Sequence, residues 1–395
     1  MPDGWADAGE DGRRLDALYV RLREAASRNI GYPCNQRFDY RPLFRFLEFA
    51  ANNVGDPFAG SNYSQNTHDL EREVVASFAG FARAGPDEVW GYVTAGGTEG
   101  NMYGLYVARE LYPEGMVYFS EDSHYSVPKI LRLQHTRNIM IRSLPNGEID
   151  CDDLRQTVLL RREAPPIVFA NIGTTMKGAV DDLGRIREIM EDLAVRNYYV
   201  HCDAALSGTI LPFVENAQPW DFADGADSIA VSGHKFLGCP LPCGVVLARK
   251  KHVERVARSV EYVGVLDTTI AGSRSAITPL MLWYRLRELG EEGLRSLVDR
   301  CLERAVYAIE RFREQGISAW RHLNSVTVVI PRPPESLVRR WSLAPQGRIC
   351  HFITLDHVTE RIIDRFVEEY VEAMAAQRIP SEAAPAAKPA ELFPR

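Results

Sequence analysis

Short apolar runs alternate with helical patterns through the middle of the chain. Seven of these runs have the length and continuous apolar character of buried strands: Val89–Thr94, Met116–Ser120, Ile139–Ser143, Pro166–Ile172, Tyr198–Cys202, Ser228–Ser232 and Gly244–Ala248. Helical spacing lies between several of them, over Glu99–Leu111, Ser126–Leu133, Asp152–Arg162 and Gly184–Asn197. Strands that alternate with helices predict an α/β fold with a mostly parallel sheet, whose ligands bind beyond the carboxyl ends of the strands.

The two ends of the chain have different patterns from the middle. Apolar residues at helical spacing predict an N-terminal helix with one apolar face, formed by Leu15, Leu18, Tyr19 and Leu22, then helices over 42–53 and 67–84. Towards the C-terminus, helical patterns over 290–315 and 358–375 flank strand patterns over 326–331 and 348–354. We therefore predict an N-terminal helical arm (1–54), a large domain (55–289), a small α+β domain (290–376) and a disordered Ala- and Pro-rich tail (377–395).

Composition narrows the functional class. The 395 residues are 46% hydrophobic, which is enough for a large core and two domains. The net charge of −7 gives no basic footprint for nucleic acid, no apolar run is long enough to span a membrane, and the polar N-terminus does not resemble a secretory signal. The seven scattered cysteines suggest reduced thiols in a cytoplasmic protein. Cys239 and Cys243 lack partners at zinc-ligand spacing, so we expect packing thiols and no metal.

The segment after the sixth apolar run contains a lysine in an unusual place. Lys235 follows Ser232, Gly233 and His234 directly beyond a predicted buried strand. A lysine in a desolvated position loses its proton readily and can form a Schiff base as a nucleophilic amine. Ser232 and His234 could donate hydrogen bonds to a phosphate beside it. The alternative is a surface lysine just past the end of a strand.

Three other predicted strand ends carry candidate chemistry. Gly97 and Thr98 open a helix after a glycine turn, where backbone N–H groups bind phosphate, although a plain turn capped by Thr98 fits equally. His124 could stack on a flat ring or transfer protons, or be an ordinary loop histidine. Asp203 needs a cationic partner, such as a protonated pyridine nitrogen or an arginine, and the small Ala205 leaves room for a ring.

These four segments together match one cofactor. A glycine cradle for phosphate, a histidine beside a ring, an aspartate for the ring nitrogen and a lysine for the aldehyde are the parts that pyridoxal 5′-phosphate requires. We therefore expect this cofactor at the carboxyl edge of the sheet.

The chain also resembles the group II pyridoxal-phosphate decarboxylases, in particular the short branch with bacterial histidine decarboxylases and plant serine decarboxylases. The shared runs are 29–33, 55–58, 61–63, 91–94, 96–101, 124–127, 171–175, 201–208 and 232–238. The resemblance implies the fold-type I, aminotransferase-like architecture, with a mixed, mostly parallel seven-stranded sheet and a small α+β domain. It further implies a homodimer with sites at the interface and loss of CO2 from an L-α-amino acid.

The resemblance also implies roles for individual residues. Thr174 would contact the cofactor's ring hydroxyl or the substrate carboxylate, and Ser273 would help to hold the phosphate from its own or a partner subunit. Tyr262 lies near the region of the family's mobile-loop tyrosine, which protonates the α-carbon, while His234, Lys235 and water are rival donors. The candidate substrate contacts are Tyr63, Ser325 and His351, for which core or loop polarity is the alternative.

One departure from the family pattern bears on the substrate. Relatives usually continue Gly-Ser-Arg with Asn-Gly-His, whereas this chain continues with Ser275, Ala276 and Ile277. A more apolar pocket wall would suit valine or leucine. Histidine, converted to histamine, is the substrate that the resemblance favours. Serine, an aliphatic amino acid, and a fold-type I aminotransferase or lyase reaction remain alternatives, as does a non-catalytic binding protein.

Overall fold

The computed structural model describes residues 9–85, 87–256, 258–260 and 265–378, and these form fourteen β-strands and ten α-helices. The strands are β1 (Asn52–Val54), β2 (Val89–Thr94), β3 (Met116–Ser120), β4 (Asn138–Ile141), β5 (Pro166–Asn171), β6 (Tyr199–Asp203), β7 (Ser228–Ser232), β8 (Gly244–Arg249), β9 (Arg258–Val260), β10 (Val265–Asp267), β11 (Ser273–Ser275), β12 (Thr327–Pro331), β13 (Ala344–Gln346) and β14 (Ile349–Ile353). The helices are α1 (Gly9–Ala26), α2 (His68–Phe81), α3 (Gly97–Leu111), α4 (Val127–Leu133), α5 (Cys151–Leu159), α6 (Leu183–Asp192), α7 (Lys250–Val253), α8 (Ile277–Glu314), α9 (Glu335–Arg340) and α10 (Glu360–Arg378). Short 3-10 helices span Arg41–Glu48, Ser207–Thr209 and Leu211–Phe213.

A seven-stranded sheet forms the centre of the fold, in the order β2-β8-β7-β6-β5-β3-β4. All neighbouring strands are parallel except β8, which is antiparallel to both β2 and β7. Every residue of β2, β3, β5, β6 and β7 is buried, which explains why these strands were recognisable as continuous apolar runs. The mixed, mostly parallel seven-stranded sheet and the α/β class are confirmed.

Several predicted elements differ from the structure. The predicted helix over 42–53 is wrong: a 3-10 helix ends at Glu48, and β1 then pairs with β11, more than two hundred positions later in the chain. The predicted helix starting at Gly290 is part of the longer α8, which begins at Ile277. Gly290 has φ 60° and ψ −176°, so it interrupts the helical backbone within α8. This interruption lies where the small domain was predicted to begin, and the domain limits remain predictions.

A three-stranded antiparallel sheet in the order β12-β14-β13 packs against α8, α9 and α10. Its core contains fully buried aromatic side chains, among them Phe312, Trp341, Phe352 and Phe366. The loop 29–37 joins this sheet to the central one. Ile353 N donates to Ile30 O (2.7 Å), and Asn35 N donates to Lys235 O (3.1 Å), so this loop fixes the backbone of the predicted lysine segment.

The N-terminal and C-terminal segments contribute less to the core. Helix α1 has no buried residue, so the apolar face that contains Leu18 and Leu22 is exposed on this chain. Helix α10 extends to Arg378, and the rest of the predicted disordered tail lies outside the described residues. Tyr262 lies outside them as well. Among the helices that the structure describes, none combines the length and the apolar character needed to cross a bilayer.

Candidate active site

Eleven of the predicted site residues line one cleft at the carboxyl ends of the parallel strands. The cleft has a volume of about 320 Å³. The predicted residues that line it are Gly97, Thr98, His124, Thr174, Asp203, Ala205, Ser232, His234, Lys235, Ser325 and His351. They lie at the ends of strands of the central sheet and in or beside the three-stranded sheet. The loop 29–37 and the turn 173–179 line the cleft between these two sheets.

Lys235 lies in the loop that follows β7 and faces the cleft. The loop is anchored by the hydrogen bond from Asn35 N to Lys235 O and by one from Gly233 N to Cys243 O (2.9 Å). Desolvation by the surrounding protein lowers the pKa of the Lys235 ammonium, although the negative charge of Asp203 opposes this shift. Lys235 is therefore a cleft residue whose amine is deprotonated more readily than that of an exposed lysine.

Asp203 ends β6 and is 9% exposed. Its two carboxylate oxygens accept different hydrogen bonds: Oδ2 from Asn101 Nδ2 (2.8 Å) and Oδ1 from Ala205 N (3.2 Å). In the described part of the chain, the hydrogen-bond partners of Asp203 are thus a side-chain amide and a backbone N–H, and neither belongs to an arginine. The carboxylate is held in place and lines the cleft, where a cationic ring nitrogen could meet it.

The glycine turn before α3 forms a tight cradle. The helix begins at Gly97 with Gly96 (φ 150°) as its N-cap, so Thr98 is not the capping residue. A Cβ atom on Gly97 would lie 2.9 Å from Ser232 Oγ. Glu99, for which the sequence predicted no role, fixes the turn by accepting a hydrogen bond from Ala95 N (2.7 Å). The cradle presents the N-terminus of a fifteen-residue helix to the cleft, which suits a phosphate.

The two histidines predicted to bind the cofactor, His124 and His234, are both held by hydrogen bonds of their Nδ1 atoms. His124 Nδ1 accepts from Ser126 N (3.3 Å) and lies 2.8 Å from Ser126 Oγ, which leaves its Nε2 to carry the proton. His234 Nδ1 lies 2.8 Å from Cys243 O. Burial lowers the pKa of both rings. His124 is therefore held as a neutral ring at the wall of the cleft.

The turn 173–179, the loop before β12 and the three-stranded sheet also line the cleft. Thr174 Oγ1 accepts from Ala179 N (3.0 Å), and Ser325 Oγ accepts from Thr327 N (3.1 Å). Gly178 (φ 71°) lies so close that a Cβ atom there would be 2.2 Å from Ser325 Oγ. His351 Nε2 donates to Gly31 O (3.1 Å), and burial lowers the pKa of His351 to about 4. These contacts place neutral polar groups where a substrate side chain could reach them.

Two predicted residues lie outside this cleft. Tyr63 is 39% exposed and donates to Ala50 O (2.7 Å), and Ser273 is exposed and accepts from Asn52 Nδ2 (3.1 Å). The segment that departs from the family pattern, 275–277, also lies outside the cleft. Ala276 is fully buried, and Ile277 begins α8 and packs against the core. The prediction that this segment makes the wall of the pocket more apolar is therefore wrong for the cleft of a single chain.

The structure adds site residues that sequence reasoning did not single out. Gly31, Tyr32 and Pro33 line the cleft from the loop 29–37, and Asn101 lines it beside Asp203. All four residues lie in the runs 29–33 and 96–101, but the resemblance on which those runs were quoted implies no role for Gly31, Tyr32, Pro33 or Asn101. Asn101 follows Gly97 by about one turn of α3, and this spacing indicates that both residues lie on the same face of the helix.

Comparisons with known proteins find similar sequences over most of the chain. A family model described as the pyridoxal-dependent decarboxylase conserved domain matches residues 91–324. The histidine decarboxylase of Mesorhizobium japonicum is 47% identical over 359 residues, covering 91% of this chain and 97% of that protein. The histidine decarboxylase of Morganella morganii is 46% identical over 364 residues, covering 91% and 96%.

Solved structures support the fold. L-methionine decarboxylase from Streptomyces sp.590 superposes with a TM-score of 0.82 at 26% identity, covering 92% of this chain and 96% of that one. Glutamate decarboxylase from Lactobacillus brevis superposes with a TM-score of 0.77 at 18% identity, covering 94% of each chain. The second similarity shows the shared fold-type I architecture alone.

Proposed function

The chain belongs to the family of pyridoxal-dependent decarboxylases, and we propose on this premise that it converts L-histidine to histamine and CO2. It is a carboxy-lyase, and its cofactor is pyridoxal 5′-phosphate. The substrate assignment is supported by relatives at 46–48% identity over 91% of the chain, all of them histidine decarboxylases. Because these relatives are decarboxylases, we do not propose transamination or carbon–carbon lyase activity, the two alternatives that the sequence left open.

One observation of the structure carries the mechanism: a lysine amine with a lowered pKa and a fixed carboxylate line the same cleft, with a glycine-turn helix N-terminus beside them. When bound, pyridoxal phosphate supplies an aldehyde that captures an amine and a ring that accepts the electrons released with CO2. The cleft fits this group, because the close approach of Gly97 to Ser232 forms a cradle that a side chain would fill.

We assign each residue a role from its position in the cleft. Gly97, Thr98, Ser232 and His234 would hold the phosphate, His124 would stack on the ring, and Thr174 would contact its hydroxyl or the substrate carboxylate. Asp203 would hold the proton of the ring nitrogen, and this interaction strengthens as negative charge enters the ring, so it favours the transition state. Lys235 would hold the cofactor through its aldehyde.

Two further roles concern the substrate: contact with its side chain and donation of a proton to its α-carbon. Ser325 and His351 would contact the side chain of the amino acid, since both line the part of the cleft next to the three-stranded sheet. A proton must also reach the α-carbon after CO2 leaves. Lys235 and His234 are donors within the cleft, and Tyr262 remains a third candidate.

The substrate assignment predicts a clear order of activities. L-histidine should release CO2 with a kcat/KM at least about tenfold above that for L-serine, L-valine, L-leucine or L-methionine, because a cleft with polar groups suits a side chain that can hydrogen-bond. The measurement is CO2 release from each amino acid, with the organic product identified by mass spectrometry. A higher kcat/KM for an aliphatic amino acid would replace histidine as the substrate, and a keto-acid product would contradict decarboxylation itself.

We also propose that the protein is a cytoplasmic homodimer with its sites at the interface. The seven cysteines, all in described residues, are free, which suits a reducing compartment. Leu15, Leu18, Tyr19 and Leu22 lie on one face of α1 and are 38–66% exposed in the single chain, so a second copy could cover them. Tyr63 and Ser273 are exposed and lie outside the cleft of their own chain, so in this dimer they would contact the partner's cleft.

The dimer proposal predicts an effect of charge on α1. Leu18→Lys together with Leu22→Lys should raise the dimer dissociation constant by about 10²-fold or more, because each buried leucine contributes roughly 1.5–3 kcal/mol. Sedimentation velocity measures the dissociation constant. The control is Leu160→Lys, because Leu160 follows the end of α5 and is 78% exposed. A monomeric wild-type protein, or a double variant that associates as tightly as the control, would exclude this interface.

A further inference from the structure

A row of polar side chains leads from Asp203 into the core of the sheet. Asn101 Nδ2 lies 2.8 Å from Asp203 Oδ2, His201 Nε2 lies 3.0 Å from Asn101 Oδ1, and His201 Nδ1 lies 2.7 Å from Ser228 Oγ. Asn101 lines the cleft, while His201 and Ser228 are fully buried behind it. None of these three residues has a role in the function proposed above.

The partners fix the direction of every hydrogen bond in this row. A carboxylate only accepts hydrogen bonds, so the Asn101 amide must turn its NH2 group to Asp203 and its oxygen to His201. That oxygen requires a donor, and His201 must therefore carry its proton on Nε2. Burial lowers the pKa of His201 to about 4, so the ring is neutral and its Nδ1 accepts the Ser228 hydroxyl proton. Donors thus point from Ser228 through His201 and Asn101 to Asp203.

The surrounding fold is shaped around this row. His201 and Asp203 are two positions apart on β6 and share one face of the strand, on which α3 packs. Gly104 lies in the interior of α3, where glycine costs about 1 kcal/mol relative to alanine. A Cβ atom at Gly104 would lie 2.1 Å from His201 Nδ1 and 2.8 Å from Ser228 Oγ. The glycine therefore leaves the space that the imidazole and the hydroxyl occupy.

We propose that Ser228, His201 and Asn101 are positioning residues that orient the Asp203 carboxylate toward the ring nitrogen of the cofactor through a one-directional chain of hydrogen bonds. The inference rests on the proposed role of Asp203, and it is independent of which amino acid is decarboxylated. Without the His201 donor, Asn101 Oδ1 is a buried acceptor with no partner, and the amide is free to turn away from Asp203.

The tautomer is tested on the protein without cofactor. Uniform ¹⁵N-histidine labelling, with the His201 signals identified by their loss in His201→Gln, shows by ¹⁵N shift which ring nitrogen carries the proton. At pH 7 we expect a neutral His201 ring protonated on Nε2. A ring protonated on Nδ1 alone, or on both nitrogens, would overturn the proposed direction of the chain, whatever the outcome of the substrate assay.

Three variants then test the consequence for the cofactor. His201→Phe should weaken pyridoxal phosphate binding by about tenfold to a hundredfold, measured by absorbance titration, because it removes the donor to Asn101. His201→Gln places an amide donor near the position of Nε2 and should recover most of the affinity. Phe169→Leu is the packing control, since the Phe169 ring contacts that of His201 (centroids 5.2 Å apart) without a polar atom. Equal affinities for His201→Phe and Phe169→Leu would show that the row is structural only.

Discussion

Lys235→Ala should give a folded protein that carries no covalently bound pyridoxal phosphate. It should form histamine at least about 10²-fold more slowly, because it also loses a candidate proton donor, and one such group contributes about 10²–10⁴-fold. The reason is that this cleft lysine has an amine whose pKa is lowered by desolvation, so it is the group that can capture the cofactor aldehyde. The measurements are the visible absorption of the dialysed protein and the rate of amine formation.

The control for this variant is Lys250→Ala, at an exposed lysine that begins α7. It should keep both the bound cofactor and the wild-type rate. Decarboxylation by Lys235→Ala at a rate close to that of Lys250→Ala would contradict the role assigned to Lys235. Loss of activity in both variants would point to a general effect on folding, which circular dichroism would detect.

Asp203→Asn should lower kcat by about 10²–10³-fold, the cost of removing one preorganised electrostatic group. Asparagine has the same shape, but its NH2 group would have to face either Asn101 Nδ2 or Ala205 N, which both donate to Asp203. The neutral amide also cannot stabilise a proton on the ring nitrogen as negative charge enters the ring. The measurement is kcat at saturating histidine, together with the absorption maximum of the bound cofactor.

Asp221→Asn is the matched control for the loss of a buried carboxylate. Asp221 is fully buried and accepts from Arg83 Nε (2.6 Å), and it does not line the cleft. This variant should lose stability while its kcat per folded molecule stays near that of the wild type. An Asp203→Asn enzyme with kcat close to that of Asp221→Asn would show that the charge of Asp203 has no part in the reaction.

The central sheet was predictable because its strands are buried on both faces. Their apolar runs are continuous, and glycine, proline or polar residues mark their ends, as around Val89–Thr94. The strand β1 was missed because three residues with little hydrophobic pattern become a strand only by pairing with β11. The first part of α8 was missed because its N-terminal turn contains Pro279 and the recognised periodicity began after Gly290.

The candidate site was predictable where chemistry lies directly at a strand end. Lys235 and Asp203 follow that rule, and both line the cleft. His201 was not assigned a role, because a histidine inside a buried strand looks like part of the core, although its spacing from Asp203 places both on one face. The contributions of Gly31 and Tyr32 depend on a loop that crosses between two sheets, and no local pattern encodes that long-range packing.

The most direct test is to identify the lysine that binds the cofactor. Borohydride reduction of the wild-type enzyme loaded with pyridoxal phosphate makes the bond between lysine and cofactor permanent, and peptide mass spectrometry then locates the phosphopyridoxyl group. We predict this group on Lys235, in the segment Ser232–Gly238 that follows β7. A phosphopyridoxyl group on another lysine, or on none, would contradict the account.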